Sequence, residues 1–300
     1  MTGPILLFGA GGQLGRETMD LAKTRSIDLV GLTRAEGDIT DRNAIRAALE
    51  RFTPRLIVNA AAYTAVDKAE SDVPGAFAGN ASGPQNLAVE ANARSIPLIH
   101  FSTDYVFDGA KLASYVETDP IGPAGAYGRS KAEGEALVRA ELPHHVIIRT
   151  AWVYGAHGAN FLKTMLRLAG ERDELRVVAD QHGCPTATID LAEAIFAVDR
   201  AISAGIQPWG TYHFAGTGVT TWHGFANEII EAANSFNGKR PKVTAIQTAD
   251  FPTPARRPVN SALDSTHFTG VFGYRAAPWQ DRTRDVVRQL MQNTSSGGLQ

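Results

Sequence analysis

Residues 4–15 read P-I-L-L-F-G-A-G-G-Q-L-G, and this stretch decides the fold. The apolar run at 4–8 predicts a buried strand, the glycines predict a tight turn, and residues 16–23 predict a helix. Gly9, Gly12 and Gly15 are spaced G-x-x-G-x-x-G, whereas the stricter dinucleotide pattern is G-x-G-x-x-G. Such a turn lets backbone N–H groups approach a pyrophosphate at the helix N-terminus, where the helix dipole favours an anion. The stretch therefore predicts dinucleotide binding, with a purely structural turn as the alternative.

Outward from this turn, short runs rich in Val, Ile and Leu alternate with helical segments as far as Thr150. The predicted strands are 28–33, 55–59, 96–101 and 146–149. The predicted helices are 41–50, 72–94 with an interruption at Gly83-Pro84, and one that begins at residue 126. After Thr150 the pattern is mixed, with helices at 160–171, 189–201, 222–233 and 279–292 and strands at 175–178, 211–214 and 243–246. We therefore predict an α/β fold, a Rossmann-like doubly wound parallel sheet with a smaller mixed C-terminal substrate-binding lobe.

The change at Thr150 also suggests the domain boundaries. Residues 1–150 are expected to form the dinucleotide-binding domain, to which about 184–210 and the terminal helix 279–293 return. The substrate-binding lobe is expected to comprise about 151–183 and 211–278, and 294–300 is expected to be a flexible tail.

Composition narrows the function classes. The chain has 300 residues, of which 44% are hydrophobic and 20% are charged, as in globular proteins. A formal net charge of -2 without a long basic run gives no sign of nucleic acid or a membrane surface as a partner. The single cysteine, Cys184, excludes an intramolecular disulfide and suits the cytoplasm, where we expect it to be a buried small residue. The eight histidines form no ligand cluster, so no metal site is expected.

Tyr127 and Lys131 are the main candidates for proton chemistry. They stand four apart at the start of a predicted helix, so their side chains share one face. An ammonium favours phenolate, so the pKa of the Tyr127 hydroxyl is expected to be lowered. A pair at this spacing also arises by chance. A catalytic role for the Tyr127-Lys131 pair is supported by its position in the chain, after the glycine turn and after Ser102-Thr103-Asp104. A hydroxyl at the end of that strand can hydrogen-bond a substrate carbonyl oxygen.

Two further places bear on the cofactor and the substrate. Thr33-Arg34 ends the second strand, where an NAD enzyme is expected to carry an acid, so Arg34 either meets a 2′-phosphate, which favours NADPH, or is a solvated surface arginine. The proline-rich loop at 251–260 carries Arg256 and Arg257, which either clamp a phosphate or are solvated loop charges.

Together these pieces resemble the extended short-chain dehydrogenase/reductase family over about residues 4–292. Besides the glycine turn at 9–15, the motifs that carry the resemblance are V-N-A-A-A-Y-T-A-V-D-K-A-E at 58–70, S-T-D-Y-V-F-D-G at 102–109, Y-G-R-S-K at 127–131, R-T-A-W-V-Y-G at 149–155, N-F-L-K-T-M-L-R-L-A at 160–169, D-Q-H-G-C-P-T at 180–186 and R-P-V-N-S at 257–261. The glycine turn and the Tyr-Lys pair are generic to the superfamily. The segments at 64–70, 102–107 and 180–186 are more specific, and point to its sugar-nucleotide reductases.

The resemblance implies reduction of the C4 ketone of dTDP-4-dehydro-L-rhamnose by NADPH, with NADH possible. It implies a catalytic trio in which Tyr127 protonates the developing alkoxide, Thr103 hydrogen-bonds it, and Lys131 holds the nicotinamide ribose. The expected cofactor contacts, including Arg34 from the argument above, are Gly9, Gly12, Gln13, Leu14, Arg34, Asp38, Ile39, Ala60, Ala62, Tyr63, Thr64, Phe101, Tyr127 and Lys131. The expected substrate contacts are Thr103, Asp104, Trp152, Asn160 and Arg257, with Trp152 as a core residue being the alternative for that position.

Departures from the family pattern and rival functions remain. Some members are dimers bridged by magnesium through glutamates; here Glu17 matches one of them but Ile189 occupies a second, so we expect no metal and a monomer or weak homodimer. A sugar-nucleotide epimerase or dehydratase of the same fold is one rival, although a dehydratase usually has an Asp-Glu pair where this chain has Asp104-Tyr105. A non-catalytic NADP-binding regulatory subunit is the other.

Overall fold

The computed structural model describes residues 3–296, with side-chain environments as far as Asn293. The strands are β1 (Ile5–Phe8), β2 (Leu29–Leu32), β3 (Leu56–Asn59), β4 (Leu98–Thr103), β5 (His145–Thr150), β6 (Val153–Tyr154), β7 (Glu174–Val178), β8 (His182–Gly183), β9 (Thr186–Ala187), β10 (Gly210–His213), β11 (Thr220–Thr221) and β12 (Lys242–Ile246). The helices are α1 (Gln13–Thr24), α2 (Arg42–Phe52), α3 (Val66–Ala69), α4 (Val73–Phe77), α5 (Gly83–Asn92), α6 (Ala126–Glu141), α7 (Phe161–Glu171), α8 (Thr188–Ser203), α9 (Trp222–Asn237), α10 (Thr266–Phe272) and α11 (Trp279–Ser296).

Six strands form the central sheet in the order β10-β5-β4-β3-β1-β2, and every neighbouring pair is parallel. The chain winds outward in one direction from β1 to β2 and in the other from β3 to β10. The winding direction reverses between β1 and β3, and ligands of open parallel sheets bind at the carboxyl ends of the strands beside such a switch point. The predicted doubly wound parallel sheet is confirmed.

Both faces of the sheet are covered, which explains why its strands are apolar throughout. Along β1, Ile5 and Leu7 pack into the core shared with α8 and α10, whereas Leu6 and Phe8 pack into the core shared with α2, α5 and α6. Side chains alternate between the faces of a strand, so a strand buried on both sides needs an unbroken apolar run.

The second lobe is built on a separate core. Strands β7 and β12 pair in parallel, and α7, α9 and α11 pack around Leu162, Phe225 and Val287. No helix among the described residues is long and apolar enough to cross a lipid bilayer.

The structure differs from the sequence-based domain division in three places. The terminal helix does not return to the cofactor lobe, because the buried side chains of Trp279 and Val287 meet α9 in the core of the second lobe. The strand expected to open the second lobe is β10, which instead extends the central sheet beside β5. Helix α11 continues to Ser296, past the expected start of the tail, and 297–300 lie outside the described residues.

Several short elements were not predicted. They are α3, α10 and the two-residue strands β6, β8, β9 and β11, which are too short to show a period. The helix predicted at 72–94 is also divided, with a π-helical turn at Ala78–Ser82 between α4 and α5.

Candidate active site

The glycine turn lies between β1 and α1 and touches the end of β3. Gly9 has φ +89°, and a Cβ there would come within 2.5 Å of the backbone nitrogen of Ala61. A Cβ on Gly15 would come within 2.2 Å of the Gly9 carbonyl oxygen. Only glycines therefore allow α1 and the alanine-rich end of β3 to pack this closely against the turn.

The start of α1 is suited to an anion. Gly12 is its N-cap residue and supplies no side-chain acceptor for the first N–H groups of the helix, while Gly11 and Gly12 are exposed. Backbone donors and the positive end of the helix dipole therefore face solvent at the switch point of the sheet. This cradle fits the pyrophosphate of a dinucleotide. Gln13 and Leu14, the other expected contacts here, are half-buried at the same helix start.

The end of β2 carries the groups that would meet the adenosine ribose. The exposed Arg34 guanidinium pairs with Asp38, with 3.0 Å between Nε and Oδ2. Asp38 also accepts hydrogen bonds from the backbone N–H and the hydroxyl of Thr40. Burial opposes the change, but these hydrogen bonds and Arg34 together lower the pKa of Asp38. Arg34 therefore pairs with an acid while 85% of its side chain stays exposed to solvent.

The remaining expected cofactor residues line the same side of the sheet. Ile39 is buried against Gly83, and its carbonyl oxygen accepts a hydrogen bond from Asn86. The Tyr63 backbone N–H donates to Asn80, and its hydroxyl donates to Asp72. Ala60 follows β3 directly, while Ala62 and Thr64 are exposed in the loop that follows.

The predicted catalytic trio comes together at the carboxyl end of β4. Thr103 ends this strand and its hydroxyl donates to Asp104 Oδ1 over 2.8 Å. Tyr127, in the first turn of α6, lies near enough to Thr103 for the threonine hydroxyl to affect its pKa. The Tyr127 ring packs edge-on against Tyr105, with 5.5 Å between the ring centroids. One turn further along α6, Lys131 is buried and its Nζ donates to the Phe101 carbonyl oxygen over 2.7 Å.

The electrostatics of this trio differ from the expectation. Burial raises the pKa of the Tyr127 hydroxyl; Thr103 opposes this rise and Asp104 adds to it. The expected lowering by Lys131 is wrong, because the ammonium is bonded to the Phe101 carbonyl and burial dominates at the phenol. Burial likewise lowers the pKa of Lys131 to about 8, against the opposing effect of Glu135. A tyrosine phenol is protonated at neutral pH even without this shift, so Tyr127 carries the proton that a general acid needs.

Two other buried groups lie close by. Burial raises the pKa of Asp104 to about 6, although the Thr103 and Ser261 hydroxyls oppose the rise. Asp104 Oδ2 is buried without a hydrogen-bond partner among the described residues. Burial also raises the pKa of the Cys184 thiol to about 11, so this cysteine is a buried small residue and not a nucleophile.

A cleft beside the trio carries both arginines of the proline-rich loop. It is lined by Tyr105, Asp108, Gly125, Arg256 and Arg257. Arg257 Nη2 bonds Asp67 Oδ2 over 2.7 Å, and its Nη1 is buried without a partner among the described residues. The guanidinium of Arg257 is thus fixed by an ion pair and half-buried, and is not a solvated loop charge. Arg256 is exposed. An unpartnered buried donor suits an anionic ligand group.

The other two expected substrate residues lie in different places. Trp152 packs between the clusters around Phe107 and around Phe225, and its Nε1 donates to Ser261 Oγ over 3.1 Å. Asn160 instead caps α7, and its Nδ2 donates to Gln13 Oε1 and to the Gly155 carbonyl oxygen. The Asn160 side chain therefore lies on the cofactor side, beside the glycine turn, and not in the arginine cleft.

Sequence reasoning assigned no role to two acids that assemble the site. Asp67 anchors Arg257, and Glu70 Oε1 accepts from the Ala126 backbone N–H over 2.8 Å at the start of α6. Both belong to the T-A-V-D-K-A-E segment, whose family-specific residues were the available signal. Elsewhere, Glu17 accepts from the Thr188 hydroxyl, and no group of three or more His, Cys, Asp or Glu side chains in residues 3–296 is arranged to hold a metal ion.

Comparisons with known proteins bear on the family of the whole chain. A family model of the RmlD substrate binding domain matches residues 1–292. The chain is 42% identical to a dTDP-4-dehydrorhamnose reductase of Sinorhizobium fredii, over 96% of this chain and 97% of the relative. A dTDP-4-dehydrorhamnose reductase structure from Clostridium acetobutylicum superposes with a TM-score of 0.88 at 38% identity, covering 96% of this chain and 99% of that one. One from Bacillus anthracis, in complex with NADP, has a TM-score of 0.88 at 32% identity and covers 96% of this chain and 100% of that one.

Proposed function

This chain belongs to the RmlD substrate binding domain family, and we propose that it uses NADPH to reduce the C4 ketone of dTDP-4-dehydro-L-rhamnose, forming dTDP-L-rhamnose. The observation that carries the proposal is the row of Thr103, Tyr127 and Lys131 at the carboxyl end of β4, beside the glycine turn. Relatives that share this chain's full length are named for that reaction, and one was solved with NADP.

Each member of the row has its own task. Bound NADPH, or NADH in its place, supplies the hydride. Tyr127, a phenol that is protonated at neutral pH, donates the proton to the oxygen that becomes alkoxide. The single O–H of Thr103, which bonds Asp104 in the free protein, turns to donate to the same oxygen, where negative charge develops. Lys131 holds the nicotinamide ribose with the N–H donors that Phe101 does not use.

The proposal places the substrate's diphosphate at Arg257, whose Nη1 is buried with no hydrogen-bond partner in the described part of the chain, and Arg256 lies exposed in the same cleft. Trp152 faces the sugar nucleotide, and Asp104 lies beside the reacting carbonyl. Binding energy from the diphosphate end positions the ketone, so the free ketosugar should lose turnover as well as affinity.

We also infer that the chain works in the cytoplasm as a monomer or weak homodimer. The free, buried Cys184 supports a reducing compartment, and the bond from Thr188 to Glu17 supports the absence of a metal bridge at that position. Light scattering across a dilution series, with and without a chelator, tests the assembly. A stable dimer lost on chelation would contradict it.

The decisive assay generates the 4-keto-L-sugar in situ with the dehydratase and epimerase that act before this step. The protein is added with NADPH, and the loss of NADPH absorbance is followed. Oxidation that requires both earlier enzymes supports the proposal. No oxidation, or equal oxidation without the epimerase, would reject this substrate, and NAD that stays bound through turnover would instead indicate an epimerase or dehydratase.

Replacing Tyr127 by Phe tests the proton donor. The variant lacks one hydroxyl, and general-acid groups contribute roughly 10²–10⁴-fold to rate, so kcat should fall by that factor while NADPH binding persists. Tyr212→Phe is the matched control, because it removes a hydroxyl that is bonded to the Pro208 carbonyl oxygen, away from the row. Near-native turnover by Tyr127→Phe would remove this residue from the mechanism.

A further inference from the structure

Trp152 is held in a conformation that aromatic residues rarely adopt. Its φ is +48°, in the left-handed region. It lies just after Thr150, which pairs with Thr103 in the parallel register of β4 and β5, so the turn occurs beside the catalytic hydroxyl. Backbone strain of this kind persists only where the surroundings enforce it, and it is concentrated at functional sites.

The main enforcing contact comes from Trp222. The two indoles stack with 3.6 Å between centroids and 7° between their planes. Trp222 begins α9, where the Thr221 hydroxyl caps the helix by accepting from the Gly224 backbone N–H over 3.0 Å. Phe161 packs against Trp222 at 4.7 Å between centroids. Trp222 is therefore itself fixed, by a helix start and by a second aromatic ring.

Two other contacts fix the position of the Trp152 indole. A Cβ on Gly183 would come within 2.4 Å of Trp152 Cε2, so the backbone there lies directly against the ring. Trp152 Nε1 donates to Ser261 over 3.1 Å, which fixes rotation of the indole in its own plane. Both tryptophans are half-buried, so the stacked pair keeps part of its surface open to a ligand.

We propose that Trp222 is a positioning residue for the reaction, which holds Trp152 as a rigid aromatic wall for the sugar nucleotide. This inference rests on the proposed function, in which Trp152 faces the substrate. Trp222 acts through Trp152 and not on the reacting atoms. A wall fixed before binding lowers the cost of ordering the ligand and helps keep the ketone aligned with Tyr127.

The test compares Trp222→Ala, Trp222→Phe and a control, Trp209→Phe. Trp209 is also half-buried but precedes β10, at the opposite end of the sheet, where it packs near His144. An aromatic pair is worth about 0.5–1.5 kcal/mol, so Trp222→Ala should raise KM for the sugar nucleotide roughly threefold to tenfold. Its Kd for NADPH, measured by cofactor fluorescence, should equal that of the unaltered enzyme. Trp222→Phe keeps a stacked ring and should restore most of the loss.

Near-UV circular dichroism tests the stack without relying on activity. Two indoles this close should give a coupled signal that Trp222→Phe abolishes and Trp209→Phe leaves in place. Absence of that signal from the unaltered protein would overturn the inference. So would a Trp222→Ala variant with an unchanged KM, or one in which NADPH binding weakens as much as substrate binding. If the unaltered enzyme does not turn over the ketosugar at all, the proposed function fails and this inference fails with it.

Discussion

Lys131 shows how burial at a single residue changes what a motif can do. In the Tyr-Lys spacing the ammonium is expected to act on the phenol, but here it donates to the Phe101 carbonyl, and its own pKa is lowered to about 8. Asp104, not Lys131, is the charged neighbour that affects the Tyr127 hydroxyl. The reductase direction needs a protonated phenol, and a tyrosine is protonated at neutral pH without any shift in its pKa.

A pH dependence follows from Lys131. Its group is cationic below a pKa of about 8 and neutral above it, so attraction to an anionic cofactor is lost as pH rises. The value of kcat/KM for NADPH reports the free enzyme and should fall above about pH 8, by roughly tenfold per unit. The Tyr127 hydroxyl does not contribute to this fall in kcat/KM, because burial raises its pKa above the ordinary value of a tyrosine.

Assays from about pH 6 to 10 should show that fall in the unaltered enzyme and not in Lys131→Gln, whose side chain does not titrate. Lys131→Arg should keep its charge across the range. A flat profile for the unaltered enzyme would contradict the assignment.

Arg34 sets a second residue-level expectation, on cofactor choice. A charge-assisted contact to a 2′-phosphate is worth about 1.5–3 kcal/mol. Because Asp38 competes for the same guanidinium at 3.0 Å, Arg34→Ala should raise the Kd for NADPH by about tenfold, the low end of that range, and leave NADH unchanged. Asp38→Asn removes the carboxylate that competes for Arg34, so the Kd for NADPH should fall relative to the Kd for NADH. Equal effects of Arg34→Ala on both cofactors would show that this arginine does not read the phosphate.

At the scale of elements, helix α6 depends on an acid from a distant loop. Its N-cap is Gly125, which has no side chain to satisfy the first N–H groups, and Glu70 supplies the acceptor for Ala126. A carboxylate at this end also interacts favourably with the helix dipole. The residue held is the neighbour of Tyr127, so this contact sets where the catalytic helix begins.

Glu70→Ala should therefore destabilise the protein by about 1 kcal/mol, the usual cost of losing a helix N-terminal acceptor. For a chain of this size that corresponds to roughly 2–4 °C in Tm. Glu133→Ala is the control, since Glu133 is exposed on the same helix. Scanning calorimetry on both variants checks the expectation, and equal Tm shifts would show that the Glu70 contact contributes nothing specific.

At the scale of the whole molecule, a buried ion-pair network joins α6 to the outer strands of the sheet. Arg149 on β5 bonds both oxygens of Glu135 on α6, at 2.8 and 2.7 Å, and its Nη1 lies 3.4 Å from the His213 ring on β10. All three side chains are buried. The network therefore ties the catalytic helix to the part of the sheet that adjoins the second lobe.

Removing one member of a buried pair leaves an uncompensated charge, so Arg149→Met should cost about 3 kcal/mol of unfolding free energy. The low end of the usual range applies, because Arg139 still reaches Glu135 at 3.2 Å. Arg167→Met removes an exposed pair with Glu171 and should cost at most about 1 kcal/mol. Urea titrations of the two variants compare them directly, and similar midpoints would mean that the network adds little.

Local pattern was enough for much of this molecule. The apolar run and glycines at 4–15 predicted β1, the turn and the start of α1, because a buried strand and a left-handed glycine depend on adjacent residues. The helix predicted at 41–50 is α2, and Asp41 caps it by accepting a hydrogen bond from the Asn43 backbone N–H. The alternation of strands and helices likewise predicted the parallel sheet.

The partners of individual groups depended on contacts between residues far apart in the chain. Arg257 bonds Asp67, 190 positions away, and Trp152 stacks on Trp222. The terminal helix packs on α9, because that is where a matching apolar face is available. Periodicity reports which face of an element is apolar, but not which other face will cover it. The shift in the Tyr127 pKa has the same origin, since desolvation arises only when distant segments close over the phenol.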